Sequence, residues 1–327
     1  MIKILELFGG IGAPRKALIN LGIPHKSIDY VEIDEKAVRT YNAIFKDKLK
    51  YTAQSVIDWN LKPDILIHGS PCQDFSIAGR QKGTDPNAET RSSLMWETIK
   101  IIKNMGIWKP RVVIWENVKN VLSKHMRINF ERYLSEMEEL GYTNSYETLN
   151  AMDFGIPQKR ERVFTVSLLG IEKFDFSKLE KIDMKSIHEF LEEDSDISDL
   201  YTVKAPSMVD AIGKSNTIRR SPIIENYCYT ITERQDRTPN AGVINIGNDN
   251  YRYLTEKECW LLMGFENEDF EKALKEHPPK KGCMNRTLYK QAGNSIVVPI
   301  LEGIFKEVLL QNIIYKNKGD WKWQPLK

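Results

Sequence analysis

At 327 residues with 41% hydrophobic side chains, the chain is long enough for one large α/β domain plus a smaller appendage, and too apolar to be disordered. Its formal net charge of +2 does not by itself announce a polyanion partner, since a nucleic-acid binder can confine its basic residues to one face. Cys72, Cys228, Cys259 and Cys283 lie far apart with no C-x-x-C spacing, which disfavours a structural zinc site and a disulfide framework and fits a reducing cytoplasm. The start, Met1 to Phe8, is too short and too interrupted for a signal peptide, and no apolar run approaches a membrane span, so a soluble, unexported, cytoplasmic protein is expected.

Through about residue 170, short apolar runs alternate with amphipathic segments. The runs Ile2 to Phe8, Ile28 to Ile33, Asp64 to His68, Val112 to Trp115 and Val163 to Leu168 read as strands. Between them, Arg15 to Leu21, Glu35 to Phe45, Ser92 to Met105 and Asn129 to Leu140 show helical spacing of apolar residues. This predicts an α/β, doubly wound, Rossmann-like domain with a parallel sheet covered on both faces. From about 171 to 250 the texture changes: Glu192 to Asp199 holds five acids and no base, and the stretch after it is rich in Ser, Thr, Asn and short β-like runs. Helical periodicity returns at Thr255 to Met263 and at Ile296 to Leu310. The expected division is therefore 1–170 with 284–327 as one domain, and 171–283 as a smaller, irregular, mostly-β domain.

Several motifs carry chemistry. In Glu6-Leu7-Phe8-Gly9-Gly10-Ile11-Gly12, glycines follow an apolar strand and precede a helix, where a missing Cβ lets the backbone turn tightly and approach a ligand. Such a loop could also be a plain strand-to-helix connection. Twenty residues after Gly12, Glu32 ends the next strand, where a carboxylate can accept both hydroxyls of a ribose. Arg15 occupies the place of the last glycine in the pyrophosphate fingerprint, so a dinucleotide is disfavoured, whereas S-adenosylmethionine (SAM) has no phosphate and does not need it. Gly69-Ser70-Pro71-Cys72-Gln73-Asp74-Phe75-Ser76 lies just past a strand, at the sheet edge where open α/β domains bind ligands. A lone cysteine is commonly a small buried hydrophobe, but this one sits in a polar loop. Glu116, in Trp115-Glu116-Asn117-Val118, falls at a strand end on that same edge, where it could equally be a helix cap. In Gln158-Lys159-Arg160-Glu161-Arg162 the arginines alternate before a strand, so both guanidinia are expected on one face, to hold a carbonyl or phosphate or simply to decorate a charged edge.

Taken in order, these pieces resemble one family, the C5-cytosine-specific DNA methyltransferases of bacterial and phage type. Phe8 to Gly12 is similar to its first cofactor motif, Glu32-Ile33-Asp34 to its second, Pro71-Cys72-Gln73 to its nucleophile motif, Glu116-Asn117-Val118 to its acid motif and Gln158 to Arg162 to its paired-arginine motif. Thr255 to Phe265 resembles its penultimate helix and Gly293-Asn294-Ser295-Ile296-Val297 its last motif. The resemblance implies a SAM-dependent methyltransferase domain with a target-recognition domain over 171–283. It places Phe8, Gly9, Gly10, Ile11, Gly12, Glu32, Ile33, Ser55, Val56, Pro71, Leu94, Asn294 and Ser295 at the cofactor. Two departures stand out. Ser55-Val56 replaces the family's acidic residue and isoleucine at the adenine, and Asp85 to Glu89 lengthens the loop between Gly83 and Leu94.

The resemblance also implies a mechanism. Cys72 adds to cytosine C6, Glu116 serves N3, and Arg160 and Arg162 hold the base oxygen and the loop. The nucleotide must be flipped from the duplex, and Gln73, Ser76, Ala78 and Gly79 are candidates to fill the gap. Target reading is expected from Arg219, Arg220, Arg234, Gln235 and Arg237, beside a Thr230-Ile231 pair that resembles the family's recognition domains. The expected partner is double-stranded DNA, acted on by a monomer, with a cognate restriction endonuclease as a further partner. A transfer-RNA cytosine methyltransferase shares the core motifs, but the 80 residues between Gly170 and Tyr251 leave room for a DNA-recognition domain. The incomplete fingerprint speaks against a nicotinamide oxidoreductase, and Cys72, Glu116, Arg160 and Arg162 together speak against a binding protein without catalysis.

Overall fold

A computed structural model describes residues 1–45, 50–57, 59, 61–70, 94–214 and 221–310. The main sheet has the order β2-β1-β3-β4-β7-β5, formed by β1 (Ile2–Leu7), β2 (His25–Val31), β3 (Ile65–His68), β4 (Val112–Val118), β5 (Tyr142–Asn150) and β7 (Glu161–Leu169). β1 to β4 are parallel, but β7 runs antiparallel to both β4 and β5, so the sheet is mixed where a parallel one was predicted. The sequence reading missed β5 altogether. Its stretch Tyr-Thr-Asn-Ser-Tyr-Glu-Thr-Leu-Asn is an edge strand that buries only Tyr142, Ser145 and Leu149, too few apolar side chains to mark a strand.

Period-two alternation builds two cores from one sheet. Ile2 and Ile4 of β1, Ile65 and Ile67 of β3, Val112 and Ile114 of β4 and Phe164, Val166 and Leu168 of β7 face one layer. That layer holds α1 (Ala13–Asn20), α6 (Glu256–Leu261), α7 (Asn267–Glu276), α8 (Arg286–Asn294) and α9 (Val298–Leu310). Leu5, Leu7, Leu66, Val113, Trp115 and Val163 face the opposite layer, with α3 (Leu94–Asn104) and α4 (Arg127–Glu139). By the same alternation Glu6 and Glu116 fall on the first face, among its aliphatic neighbours.

The C-terminal helices belong to this body. Helix α7 packs on α2 (Glu35–Phe45), where Arg39 pairs with Glu276 at 2.6 Å and the His277 ring meets the Lys36 carbonyl at 3.1 Å. Lys16 of α1 sits buried between Glu266 and Asp269, each 2.8 Å away. Neither α7 nor α8 is among the predicted elements: charged residues crowd α7, and α8 is short, with Leu288, Tyr289 and Ala292 as its buried apolar face.

Residues 171–205 run in short turns rather than strands, and Phe174, Leu179 and Ile187 anchor them on the first core. Arg252, only 3% exposed, ties this stretch down through Glu258 at 3.0 Å and Asp194 at 2.7 Å. Beyond α5 (Pro206–Val209), two small sheets follow among the described residues. In one, β6 (Gln158–Lys159) runs parallel to β8 (Cys228–Tyr229); the other is a hairpin of β9 (Val243–Gly247) and β10 (Asn250–Tyr253). Asn248 and Asp249 turn that hairpin with φ of 50° and 56°, the left-handed conformation that these short polar side chains tolerate.

Candidate active site

The loop after β1 is held in a shape few residues accept. Phe8 has φ of 56°, a strained value for a side chain of its size, as is common at ligand sites. A Cβ on Gly9 would come within 2.5 Å of the Tyr30 ring. One on Gly12, at φ of 84°, would strike Phe45 and Tyr41. The loop thus lies directly on a cluster in which Tyr30 and Tyr41 stack with centroids 3.7 Å apart, and the Tyr30 hydroxyl donates to the Gly10 carbonyl at 2.5 Å.

Glu32 lies just beyond β2 and braces the loop from the other side. One carboxylate oxygen accepts from Gly10 N at 3.0 Å, the other from Ile33 N and Asp34 N at 2.8 and 2.9 Å. Ile33 stands 74% exposed at this rim, an apolar surface with nothing packed over it among the described residues. Gln54 N donates to the Glu32 carbonyl, which brings Ser55 alongside. Ser55 is exposed, whereas Val56 is buried in the second core and the partly buried Leu94 packs against that core.

A cleft between β1 and β4 collects the loop residues Phe8 to Ile11 together with Gly69, Glu116, Asn294 and Ser295. Asn294 ends α8 in the open, and Ser295 is buried just after it. Glu116 is nearly enclosed. Burial lifts its carboxyl above the ordinary value, although Arg162 and Arg160 act in the opposite direction. Arg162 Nε lies 3.2 Å from Glu116 Oε1, and a Cβ on Gly69 would meet Glu116 Oε2 at 3.7 Å. Ser70, the last described residue before the cysteine loop, accepts from Trp115 Nε1 at 3.1 Å. Beneath it, burial keeps the His68 imidazole neutral, down to about 3, beside the Tyr133 hydroxyl.

The two arginines do not act as a same-facing pair. The backbone turns between β6 and β7, with Arg160 N donating to the Gln158 carbonyl, and the guanidinia separate. Arg160 donates to the carbonyls of Ile231 at 2.9 Å, Gly293 at 3.0 Å and Ser295 at 2.9 Å, so it joins the recognition segment and the end of α8 to the sheet edge. Arg162 forms the ion pair with Glu116, and the charges of both arginines draw its carboxyl down. Gln235, expected to read DNA, is fully buried, with its Oε1 accepting from Ala241 N. Thr230 donates to the Lys159 carbonyl at 3.0 Å, while Arg234 and Arg237 are exposed. Pro71, Cys72, Gln73, Ser76, Ala78, Gly79, Arg219 and Arg220 lie outside the described residues.

Two residues at the site were not singled out from sequence. Glu6, wholly buried, lines the cleft; its Oε1 accepts from Tyr41 at 2.6 Å and Ser27 at 3.2 Å, while no described residue bonds Oε2. It stands in the quoted strand, but nothing in the alternation separates a buried acid from a solvent-facing one. Lys290 of α8 pairs with Asp34 beside Glu32, and that hydrogen bond raises its ammonium above the ordinary value.

Burial lifts Glu6 from 4.5 to about 7 against hydrogen bonds from Tyr41 and Ser27. The folded state therefore keeps a proton that the unfolded chain releases, so this group's contribution is complete below about pH 4.5 and is lost as pH rises through 7. Relative to Glu6→Gln, the wild type is expected to lose stability between pH 5 and 8, by at most about 1.4 kcal/mol per pH unit. Melting curves of both proteins across that range check it, and parallel curves would show that Glu6 carries no such proton.

A Rossmann-like sheet brings a strained glycine loop, a carboxylate just beyond β2 and an enclosed acid to one edge, the arrangement of an α/β domain with a ligand cleft at its sheet edge. The sequence model of the family described as "C-5 cytosine-specific DNA methylase" matches residues 2–310, and the chain belongs to that family: it is a DNA (cytosine-5-)-methyltransferase. The chain is 32% identical to the type II methyltransferase M2.ScrFI of Lactococcus lactis subsp. cremoris, over 94% of this chain and 99% of that one. It is 29% identical to the type II methyltransferase M.HhaI of Haemophilus parahaemolyticus, over 93% of each. Among solved structures, an Entamoeba histolytica methyltransferase, EhMeth, superposes with a TM-score of 0.77 at 18% identity, over 95% of this chain and 99% of that one. The family match disfavours the transfer-RNA alternative. No helix among the described residues is long and apolar enough to cross a membrane.

Proposed function

We propose that the cleft between the Phe8–Gly12 loop and Glu116 holds SAM and an extrahelical cytosine side by side, and that Cys72 is the nucleophile. The observation that carries this reading is that one cleft gathers the cofactor loop, the acid, Asn294 and Ser295. The residues suit the cofactor. Glu32 retains lone pairs for ribose hydroxyls beyond its three backbone donors, exposed Ile33 offers an apolar face to an adenine, and Glu6 Oε2 is a polar atom with no hydrogen-bond partner among the described residues in the wall of the cleft. With Ser55 at the adenine position, a hydroxyl stands where the family presents a carboxylate. When bound, SAM supplies an electrophilic methyl group.

Cytosine C5 is too electron-poor to take that methyl unaided. The Cys72 thiolate adds at C6 and pushes density toward C5, and Glu116, whose carboxyl burial lifts above the ordinary value, gives a hydrogen bond or a proton to N3 as negative charge gathers on the ring. Arg162 fixes the Glu116 carboxyl and limits the rise of its pKa. Arg160 acts as a clamp of the rim through its three carbonyls. Once C5 carries the methyl group, a water takes the C5 proton, Glu116 takes back any proton given to N3, and the electrons of the broken C–H bond re-form the C5–C6 double bond and expel the Cys72 thiolate. Because C6 is hidden in a duplex, the nucleotide leaves the stack, with Gln73, Ser76 and Gly79 as candidates to occupy the gap.

Target choice falls to the segment around Thr230, Arg234 and Arg237, with Arg219 and Arg220 beside it in sequence. Helices α6 and α7 contribute to the first core, as do Ile224, Cys228 and Ile231 of that segment. The type II names of the relatives support a restriction endonuclease as partner and a cytoplasmic setting. Replacing Glu32 by Ala is expected to weaken SAM binding by roughly 1.5 to 3 kcal/mol, the loss of a charge-assisted hydrogen bond, as read by calorimetry. Unchanged affinity would remove the cofactor assignment.

A further inference from the structure

Tyr227 and Tyr229 flank Cys228 on an extended segment, and alternation sends Cys228 fully into the core while both tyrosines stand on the opposite face. Their rings meet edge to face with centroids 5.7 Å apart, and the neighbouring Tyr229 phenol lifts that of Tyr227 above its ordinary range. With Lys214, Glu225 and Asn226 they line a second cleft, of about 350 Å³. It shares no residue with the cleft of Glu116 and the glycine loop.

This second cleft is fixed to the reacting edge. Tyr229 lies in register with Lys159 of β6, Thr230 Oγ1 donates to the Lys159 carbonyl, and Arg160, next in the chain, donates to the Ile231 carbonyl. Two phenol hydroxyls on adjoining rings offer donor hydrogens and lone pairs to one cleft, on side chains with only two torsions to freeze. Asn226 adds an amide with both characters. Glu225 beside Lys214 makes the cleft unwelcoming to phosphate alone, since a carboxylate repels it, but it can accept from the amino group of a cytosine or adenine.

We propose that the Tyr227–Tyr229 cleft is a specificity-determining site, reading base-pair edges beside the target cytosine in duplex DNA through the two hydroxyls, with Lys214 and Glu225 setting the charge of the edge it accepts. This rests on the reading that target choice lies in the segment around Thr230.

The full-length enzyme, with SAM, is given a duplex library randomised around a cytosine, and bisulfite sequencing reads the bases preferred at each position. Tyr227→Phe and Tyr229→Phe remove one hydroxyl each with little risk to folding, and Lys214→Gln changes a surface charge. Discrimination at one or two positions is expected to fall on the order of tenfold in the tyrosine variants, with preferences elsewhere and SAM affinity unchanged. Preferences identical to wild type in all three variants would overturn the proposal, as would a uniform loss of methylation with preferences intact, which marks a backbone contact. Arg234→Ala with Arg237→Ala, assayed in parallel, separates the two failures: if that pair alters preference or affinity while the cleft variants do not, the segment still reads DNA and only the cleft assignment falls.

Discussion

Cys72→Ala is expected to abolish methyl transfer and to form no denaturation-resistant complex with a duplex carrying 5-fluorocytosine at the target, whereas the wild type accumulates that complex in the presence of SAM. The bond between sulfur and C6 breaks only when C5 gives up a proton, and fluorine cannot leave that way. A free thiol has a pKa of about 8.5, and only its thiolate attacks. The other cysteines argue by contrast. Cys228 and Cys259 are fully buried, and burial pushes both thiols well up, so neither presents a thiolate to a base. Cys283 is exposed, and no motif accompanies it. SAM affinity should survive in Cys72→Ala, since Phe8 to Gly12 and Glu32 are untouched. Denaturing electrophoresis reads the result, and an adduct that persists in the variant or maps to Cys283 by mass spectrometry would remove the covalent mechanism.

Much of this site was legible because its residues stand in contiguous motifs at strand ends. The glycines of the Phe8 to Gly12 loop, Glu32 twenty residues on and Glu116 at the end of an apolar strand announce themselves by position, and the fold brings the loop and Glu116 to one cleft. What spacing could not show is direction. The alternation of Arg160 and Arg162 predicted a shared face, but one residue of irregular backbone before β7 sends them to different partners, and no local pattern encodes that turn. Gln235 reads as a surface donor until long-range packing buries it. Strand β5 was missed for a related reason: it is held by pairing along β7 at the sheet edge, so its apolar signal is thin.

Glu116→Gln is expected to slow adduct formation by a factor on the order of 10² to 10⁴, the range for loss of a positioned general acid, while SAM still binds. The amide keeps the shape and can still donate a hydrogen bond, but it cannot give N3 a proton as C6 is attacked. The sign of the pH dependence follows from burial. Because the Glu116 carboxyl is lifted above its ordinary value, it keeps its proton further up the pH scale, and the rate of adduct formation should fall as pH climbs through that raised pKa. Ionisation of Cys72 acts oppositely, raising the rate with pH, so the descending limb alone reports Glu116. In Glu116→Gln that limb should vanish. Arg162 is the nearest cation, 3.2 Å away, and holds the pKa down, so Arg162→Gln should move the limb to higher pH while weakening the grip on the carboxyl. Rates of 5-fluorocytosine trapping between pH 6 and 9 for the three proteins test this. A wild-type rate in Glu116→Gln, or a limb that moves to lower pH in Arg162→Gln, would show that this carboxyl does not serve N3.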